Sequence, residues 1–468
     1  MAQKPSPITR LSAEAESRLK AVLPADRLLT EAADCWAYGY DNSRRQVCPQ
    51  AVAFPESSEE VAALVRVCHD LKLPVVGRGR GSGTAGAAVP VEGGLVLSME
   101  RMDRIIEINP DDRLAVVEAG VTNGDLQRAL ARHGFFWPPD PTSADYCSVG
   151  GNLACNAAGP RAVKYGTPRD NILGLTAVSG AGQILRTGVH TTKGVVGYDL
   201  TRLLVGSEGT LGVITQATLR ITPLPEARRS LRAVYDGMAD AAAAVSRIMA
   251  QPLTPCILEF IDGRAIQMIR DYAETDLPEG AGAMLMIEVD GSAEQLDLAE
   301  QAVSRAAAGP GLRELRSARD EAERKALWAA RKALSPAQRK IAPKKINEDV
   351  VVPVSRMADL IGGLEALSER FGILIVNFGH AGNGNIHVNL LVDPDDPKQM
   401  AVVDECLDQV FRLVLSLRGT LSGEHGIGYD KKQFVVLEIE PAALELMKQI
   451  KKQFDPAGIL NPGKLFPE

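Results

Sequence analysis

Three glycine-rich segments constrain the fold of this chain more than any other feature. The first, Arg78-Gly79-Arg80-Gly81-Ser82-Gly83, follows the apolar run from Pro74 to Val76. The second is Ser148-Val149-Gly150-Gly151-Asn152 with Asn156 and Gly159, and the third runs from Gly206 through Glu208, Gly209 and Gly212 to Ile214. Alternating glycines let successive backbone N–H groups turn toward one anion and form a phosphate nest, to which Arg78 and Ser82 add side-chain donors. Alone, the first segment reads equally well as a flexible hairpin turn. It does not open a Rossmann unit, because Pro90 stops any long helix after Gly83. Three such loops imply one long ligand. A dinucleotide with a flat ring system needs a pyrophosphate nest, a slot free of side chains, and backbone donors and acceptors along the ring edge.

A chain of 468 residues exceeds what one hydrophobic core serves. The texture divides it into a helical segment at 1–45, a domain at 46–223 made of short apolar runs between glycines, a domain at 224–417 alternating strands with amphipathic helices, and a closing segment at 418–468. The fold class expected is α+β. Helices are predicted around Ser12 to Leu23, through Val61, Leu64, Val65 and Cys68, near Thr122 to His133, and over Ser292 to Ala308. A net charge of −7 argues against a nucleic-acid partner. No apolar run reaches spanning length, and Lys4 and Arg10 precede no apolar centre, so neither a transmembrane segment nor a secretory signal is expected and cytoplasmic residence is the default. Seven scattered cysteines without a Cys-x-x-Cys read as reduced thiols rather than a disulfide or iron–sulfur framework.

Three of only six histidines fall beyond residue 370, His380 and His387 in FGHAGNGNIHVN and His425 in SGEHG. A Gly/Asn turn between two apolar strands lets the rings of His380 and His387 converge. With the Glu424 carboxylate they offer a three-ligand site with open positions for a catalytic divalent metal. His69, His133 and His190 read instead as structural or surface histidines.

The stretches VVGRGRGSGTAG, PPDPTSADYCSVGGNLACNAAG and GYDLTRLLVGSEGTLGVIT, followed by NPGK at the carboxyl end, occur in family order. On these motifs the chain resembles FAD-linked oxidoreductases of the vanillyl-alcohol oxidase/PCMH class, in the branch of D-lactate, glycolate and D-2-hydroxyglutarate dehydrogenases. The resemblance covers nearly everything from Pro49 onward. It implies a PCMH-type FAD-binding domain, an α/β substrate (cap) domain with an antiparallel sheet, and a carboxyl-terminal tail returning to the FAD domain. FAD contacts then fall on Arg78, Gly79, Arg80, Gly81, Ser82, Gly83, Gly86, Pro141, Thr142, Ser148, Gly150, Gly151, Asn152, Asn156, Gly159, Glu208, Gly209, Gly212, Ile214 and Asn461. Arg80 departs from the glycine that family members often carry there. No histidine lies between His69 and His133, so noncovalent FAD is expected.

The resemblance also places zinc or manganese on His380, His387 and Glu424. His425, directly after Glu424 in the chain, is the candidate base that takes the hydroxyl proton while hydride leaves for flavin N5. Arg331 becomes the clamp for the substrate carboxylate, with Ser335 and Asn389 as further substrate contacts. Without the resemblance, Arg331 reads as a solvated helix charge. Members that take D-2-hydroxyglutarate tend to carry Lys-Tyr-Asp where this chain has Asn347-Glu348-Asp349, which favours a small D-2-hydroxy acid, D-lactate first, although Lys344 and Lys345 lie close by. Glycolate, D-malate and D-2-hydroxyglutarate are the alternatives within the family. A flavin enzyme for other alcohols, a flavin-binding subunit without catalysis and a metal-dependent hydrolase are the more distant ones. Reoxidation of the flavin calls for a quinone, a cytochrome or an electron-transfer flavoprotein. A homodimer and a peripheral place at the inner membrane are kept as options.

Overall fold

The computed structural model describes residues 10–272, 276–341 and 343–467, without the side chains of residues 329–333, 335–336 and 339–341. The chain forms two compact units. One comprises Met1–Gly159, Gly166–Leu224 and Glu424–Glu468, and the other Pro160–Tyr165 and Pro225–Gly423.

The first unit carries β1 (Leu28–Leu29), β2 (Ala51–Ala53), β3 (Val75–Arg78) and β4 (Leu95–Ser98) in a sheet of order β1-β2-β4-β3, with β2, β4 and β3 parallel. The parallel pairing follows from the crossover helix Ser58–Leu71 between β2 and β3. Ser57 caps that helix by accepting from Glu60 N, and Lys72 ends it in the left-handed conformation. Its buried Val61, Leu64, Val65 and Cys68 hold the predicted helical spacing. The next strands, β5 (Ile105–Asn109), β6 (Leu114–Glu118), β8 (Ile172–Val178), β9 (Ile184–Gly188) and β10 (Val213–Arg220), form an antiparallel sheet of order β5-β6-β10-β8-β9, while β7 (Phe135–Phe136) pairs with β11 (Thr222–Pro223). One core joins the two larger sheets, drawing on Leu64, Leu97, Val117, Trp137 and Leu219. Ile459 and Leu460 belong to the same core, so the tail does return. Val75 N donates to Ile459 O, and Asn461 N donates to Val75 O.

In the second unit β12 (Ala227–Tyr235), β13 (Ile257–Asp262), β14 (Ala283–Gly291), β15 (Leu312–Ser317), β16 (Lys344–Val351), β17 (Leu374–His380) and β18 (Asn385–Val392) make one antiparallel sheet of order β15-β12-β14-β13-β17-β18-β16. Helices Gly263–Tyr272 and Glu321–Ile341 bury Ile266, Ile269, Leu327 and Leu334 against Ile261, Met284, Met286, Val376 and Phe378, which all point to one face of the sheet. The helix expected from Ser292 begins later. A 3-10 turn occupies Ala293–Gln295 and the α-helix spans Leu296–Ala307. Among the described residues no helix is long and apolar enough to cross a membrane.

β17 and β18 are joined by the short turn Ala381–Asn383 and Gly384, whose φ is +69°. A Cβ at Gly384 would lie 1.9 Å from Val352 O, so both backbone angle and space require glycine. Gly384→Ala is therefore expected to lower unfolding free energy by about 3 kcal/mol, read by chemical denaturation. An unchanged midpoint would show that the turn relaxes freely.

Candidate active site

The pleat of β17 and β18 sets which side chains share a face. His387 pairs in register with Phe378 on one side and Asp349 of β16 on the other, while His380 pairs with Asn385 and with Glu259 of β13. All six point to the face covered by the helices Gly263–Tyr272 and Glu321–Ile341. The two imidazoles are buried, with ring centroids 5.2 Å apart and planes at 86°. His380 Nδ1 is hydrogen-bonded to the buried Glu259 carboxylate. That bond fixes the ring and leaves Nε2 as the nitrogen with which His380 can ligate. Asp349, fully buried, has Oδ1 at 3.8 Å from His387 Nδ1, too far for a hydrogen bond but close enough to favour a cation. Asn385 Nδ2, Ser422 Oγ and Gly423 N each donate to the Asp349 carboxylate. Gly423 is the residue before Glu424.

Within the first unit Glu424 Oε2 accepts the Gly159 N–H at 2.7 Å, and His425 beside it in the chain is half-buried. Asn389 lies on the His387 face of β18. Its amide donates to Val376 O and His387 O, while Oδ1 has no hydrogen-bond partner among the described residues. Arg331 and Ser335 lie on the helix Glu321–Ile341, and their side chains fall outside the described residues. The donor chemistry fits a divalent metal on the histidine side: two buried imidazoles, one held by a carboxylate, with a second carboxylate facing the other. Sequence reading missed Glu259 and Asp349. The available signal was a carboxylate next to a run of apolar strand residues, at Glu259 in ILEFID and at Asp349 ahead of VVV.

The glycine-rich segments come together inside the first unit. Gly79 abuts Ser148, where a Cβ would sit 2.2 Å from Oγ. That Oγ caps the helix Val149–Cys155 by accepting from Gly151 N. Gly150 packs against Ala119, Asn152 accepts from Asn123, and Asn156 closes the helix in the left-handed conformation. Gly159, at φ +89°, passes against Asp140 O next to the buried Pro141, while Thr142 is exposed. Gly86 lies against Tyr429, Gly212 against Val178 O, and Ile214 is buried.

Several residues expected to touch the ligand also hold the unit together. The Arg78 guanidinium is buried, donates to Tyr40 O and lies over the Tyr38 and Tyr40 rings. Gly81, at φ +64°, leaves it room. Glu208 is buried and accepts from Ile427 N and Gly428 N, both at 2.7 Å. Burial raises its carboxyl pKa against the pull of those donors and of Lys464 and Lys431. Asn461 Nδ2 donates to Ala87 O and Glu208 O, and its Oδ1 accepts from Lys464. Backbone groups also remain for an anion. Among the described residues, no N–H from Arg80 through Ser82 and Gly83 to Thr84 donates to a protein acceptor. This unspent run beside glycines that exclude side chains, with Gly209 facing open space, fits a dinucleotide.

Lys464 Nζ is buried and donates to Val89 O, and burial pushes its pKa down to about 8 from 10.5. Between those values the unfolded chain binds more protons than the folded one, so this group adds stability as pH rises from 8 toward 10.5. Lys464→Met is expected to flatten that rise in denaturation midpoints measured across the window. A variant that keeps the slope would refute the assignment.

Comparison with known proteins gives these units a family. Residues 49–188 match the FAD binding domain family, and residues 224–465 match FAD linked oxidases, C-terminal domain. The chain is 38% identical over 430 residues to glycolate oxidase subunit GlcD of Bacillus subtilis, covering 92% of each. It is 38% identical over 436 residues to a D-lactate dehydrogenase of Archaeoglobus fulgidus, covering 92% of this chain and 95% of that one. The fold matches p-cresol methylhydroxylase with a TM-score of 0.79 at 18% identity, over 98% of both chains. A TM-score of 0.74 relates it to alkyldihydroxyacetonephosphate synthase at 19% identity, over 98% of this chain and 87% of the other. With an FAD-binding domain, an FAD-oxidase carboxyl-terminal domain and relatives of this similarity along nearly its whole length, the chain belongs to the FAD-linked oxidoreductases.

Proposed function

We propose that this protein is a metal-dependent dehydrogenase converting a small D-2-hydroxy acid, D-lactate first, to the 2-oxo acid. The observation that carries this reading is the buried His380–His387 pair, one ring held by Glu259 and the other facing Asp349. The names of the relatives, a glycolate oxidase subunit and D-lactate dehydrogenases, point the same way. His380, His387 and Glu424 are the proposed ligands of zinc or manganese, whose Lewis acidity lowers the pKa of a bound hydroxyl. FAD, held noncovalently by the segments around Gly79–Gly86, Ser148–Gly159 and Glu208–Ile214 with Asn461, supplies the two-electron acceptor.

The roles of the side chains follow from what each can hold. His425 accepts the proton of the substrate hydroxyl. Arg331, one turn after Leu327 on the helix that faces the histidines, binds the substrate carboxylate in a bidentate fork. Ser335 and Asn389 add hydrogen bonds, and among the described residues Asn389 Oδ1 has no hydrogen-bond partner. FAD, when bound, would take the hydride and would be reoxidised by an external acceptor of the quinone, cytochrome or electron-transfer flavoprotein kind.

The test is anaerobic addition of D-lactate, glycolate, D-malate, D-2-hydroxyglutarate and their L counterparts to the yellow protein. Bleaching by a D-2-hydroxy acid, lost on chelation and restored by zinc or manganese, is the expected result. A colourless protein, or bleaching indifferent to chelation, would remove the flavin or the metal from the reading. Separately, Glu259→Gln is expected to weaken zinc or manganese binding 10- to 100-fold in calorimetric titrations of the flavin-loaded protein. Equal affinity would mean that His380 needs no carboxylate behind it.

A further inference from the structure

Beyond the histidines, the same sheet face carries a further row of polar groups. Asp349, Asn347 and Lys345 alternate along β16, and Asn347 pairs in register with Asn389, two residues beyond His387 on β18. The row ends at Gln338 of the helix Glu321–Ile341, whose Oε1 accepts from Lys345 Nζ at 3.3 Å. Gln338 and Asn389 are buried, at 1% and 0% exposure. Yet Gln338 Nε2, Asn347 Oδ1 and Asn389 Oδ1 are shielded from solvent and have no hydrogen-bond partner among the described residues. Buried amides left this way cost free energy unless a ligand or water completes them.

Their orientations are set by the bonds they do make. Asn389 spends its NH₂ on Val376 O and His387 O, so it presents an acceptor. Gln338 spends its oxygen on Lys345, so it presents a donor. Asn347 can turn either way. A group completing this set must both give and take a hydrogen bond.

We infer that this row is the subsite for the substrate's tail and that the tail carries a hydroxyl group. A hydroxyl donates to Asn389 Oδ1 while accepting from Gln338 Nε2. A distal carboxylate only accepts, so it would set oxygen against oxygen at Asn389. Among the described residues the row's one cation, Lys345, already donates to Gln338, and Asp349 lies two residues from Asn347 on the same row. An alkyl tail would leave all three amides unmet. Two residues of strand span about 6.8 Å. A five-carbon acid anchored at C1 and C2 beside the histidines brings an oxygen on C5 to the Asn347–Asn389 pair. The inference rests on the hydroxy-acid reading and names which such acids the protein prefers.

Three D-2-hydroxy acids of equal length separate the possibilities: 2-hydroxypentanoate, 2,5-dihydroxypentanoate and 2-hydroxyglutarate, assayed with the flavin-loaded enzyme and a dye acceptor. The dihydroxy acid is expected to exceed both others by at least tenfold in kcat/KM. Calorimetric binding of 5-hydroxy-2-oxopentanoate is expected to be at least tenfold tighter than that of 2-oxopentanoate. In Asn347→Leu and Gln338→Met, close in size to the native side chains, both ratios should fall to within about twofold. Preference for 2-hydroxyglutarate or for the alkyl acid overturns the inference, the first in favour of a cationic subsite and the second in favour of a dry one. Native ratios in both variants, showing that water alone completes the amides, also overturn it. Oxidation of none of the three, or of any other hydroxy acid, overturns the parent reading with it, whereas turnover without preference overturns the subsite alone.

Discussion

The two-residue period of a β-strand is the constraint on which the rest of the second unit depends. Once β17 and β18 pair across the turn at Gly384, every second residue from Val376 to His380 and from Asn385 to Asn389 faces one side. A slip of one residue would turn His380, His387 and Asn389 to the opposite face. Antiparallel pairing with β13 and β16 then brings Glu259 and Asp349 alongside the rings. A burial that would penalise isolated polar groups becomes tolerable because each has a counterpart. Glu259 meets His380, and Asp349 collects donors from Asn385, Ser422 and Gly423.

The first unit solves a different problem, the joining of segments far apart in sequence by backbone contact. Glycine supplies close approach at Gly79, Gly150 and Gly159. The side chains of Arg78, Glu208 and Asn461 also satisfy backbone groups of neighbouring segments. Glu208 shows why a buried carboxylate is stable here. Two short N–H bonds from Ile427 and Gly428 replace the water it gives up, and Lys464 and Lys431 add favourable field. Among the described residues, the N–H groups from Arg80 to Thr84 stay unspent, an arrangement that fits a phosphate.

Much of this was legible in the chain itself. Helical spacing located the crossover helix at Val61 to Cys68, and the glycine-rich segments located the turns that meet in the first unit. The spacing of His380 and His387 about a Gly/Asn turn brought out the paired rings. Less legible were Glu259 and Asp349, since no local pattern tells a charged residue on a strand which histidine it will meet. The start of the helix at Leu296 rather than Ser292 was missed because a 3-10 turn over Ala293–Gln295 follows Ser292 before the α-helix begins.

The sequence by itself determined the family, the fold class and the residue types available for chemistry, because glycine placement, periodicity and rare histidines are local properties that survive in a linear text. Only the tertiary structure decided which groups are neighbours and which atoms stay unspent. Strand order set β13 and β16 beside the histidine hairpin, and the bonds made by Asn389 and Gln338 fixed which end of each amide is left over. Those facts depend on cross-strand register and side-chain orientation, which arise only when distant segments pack together.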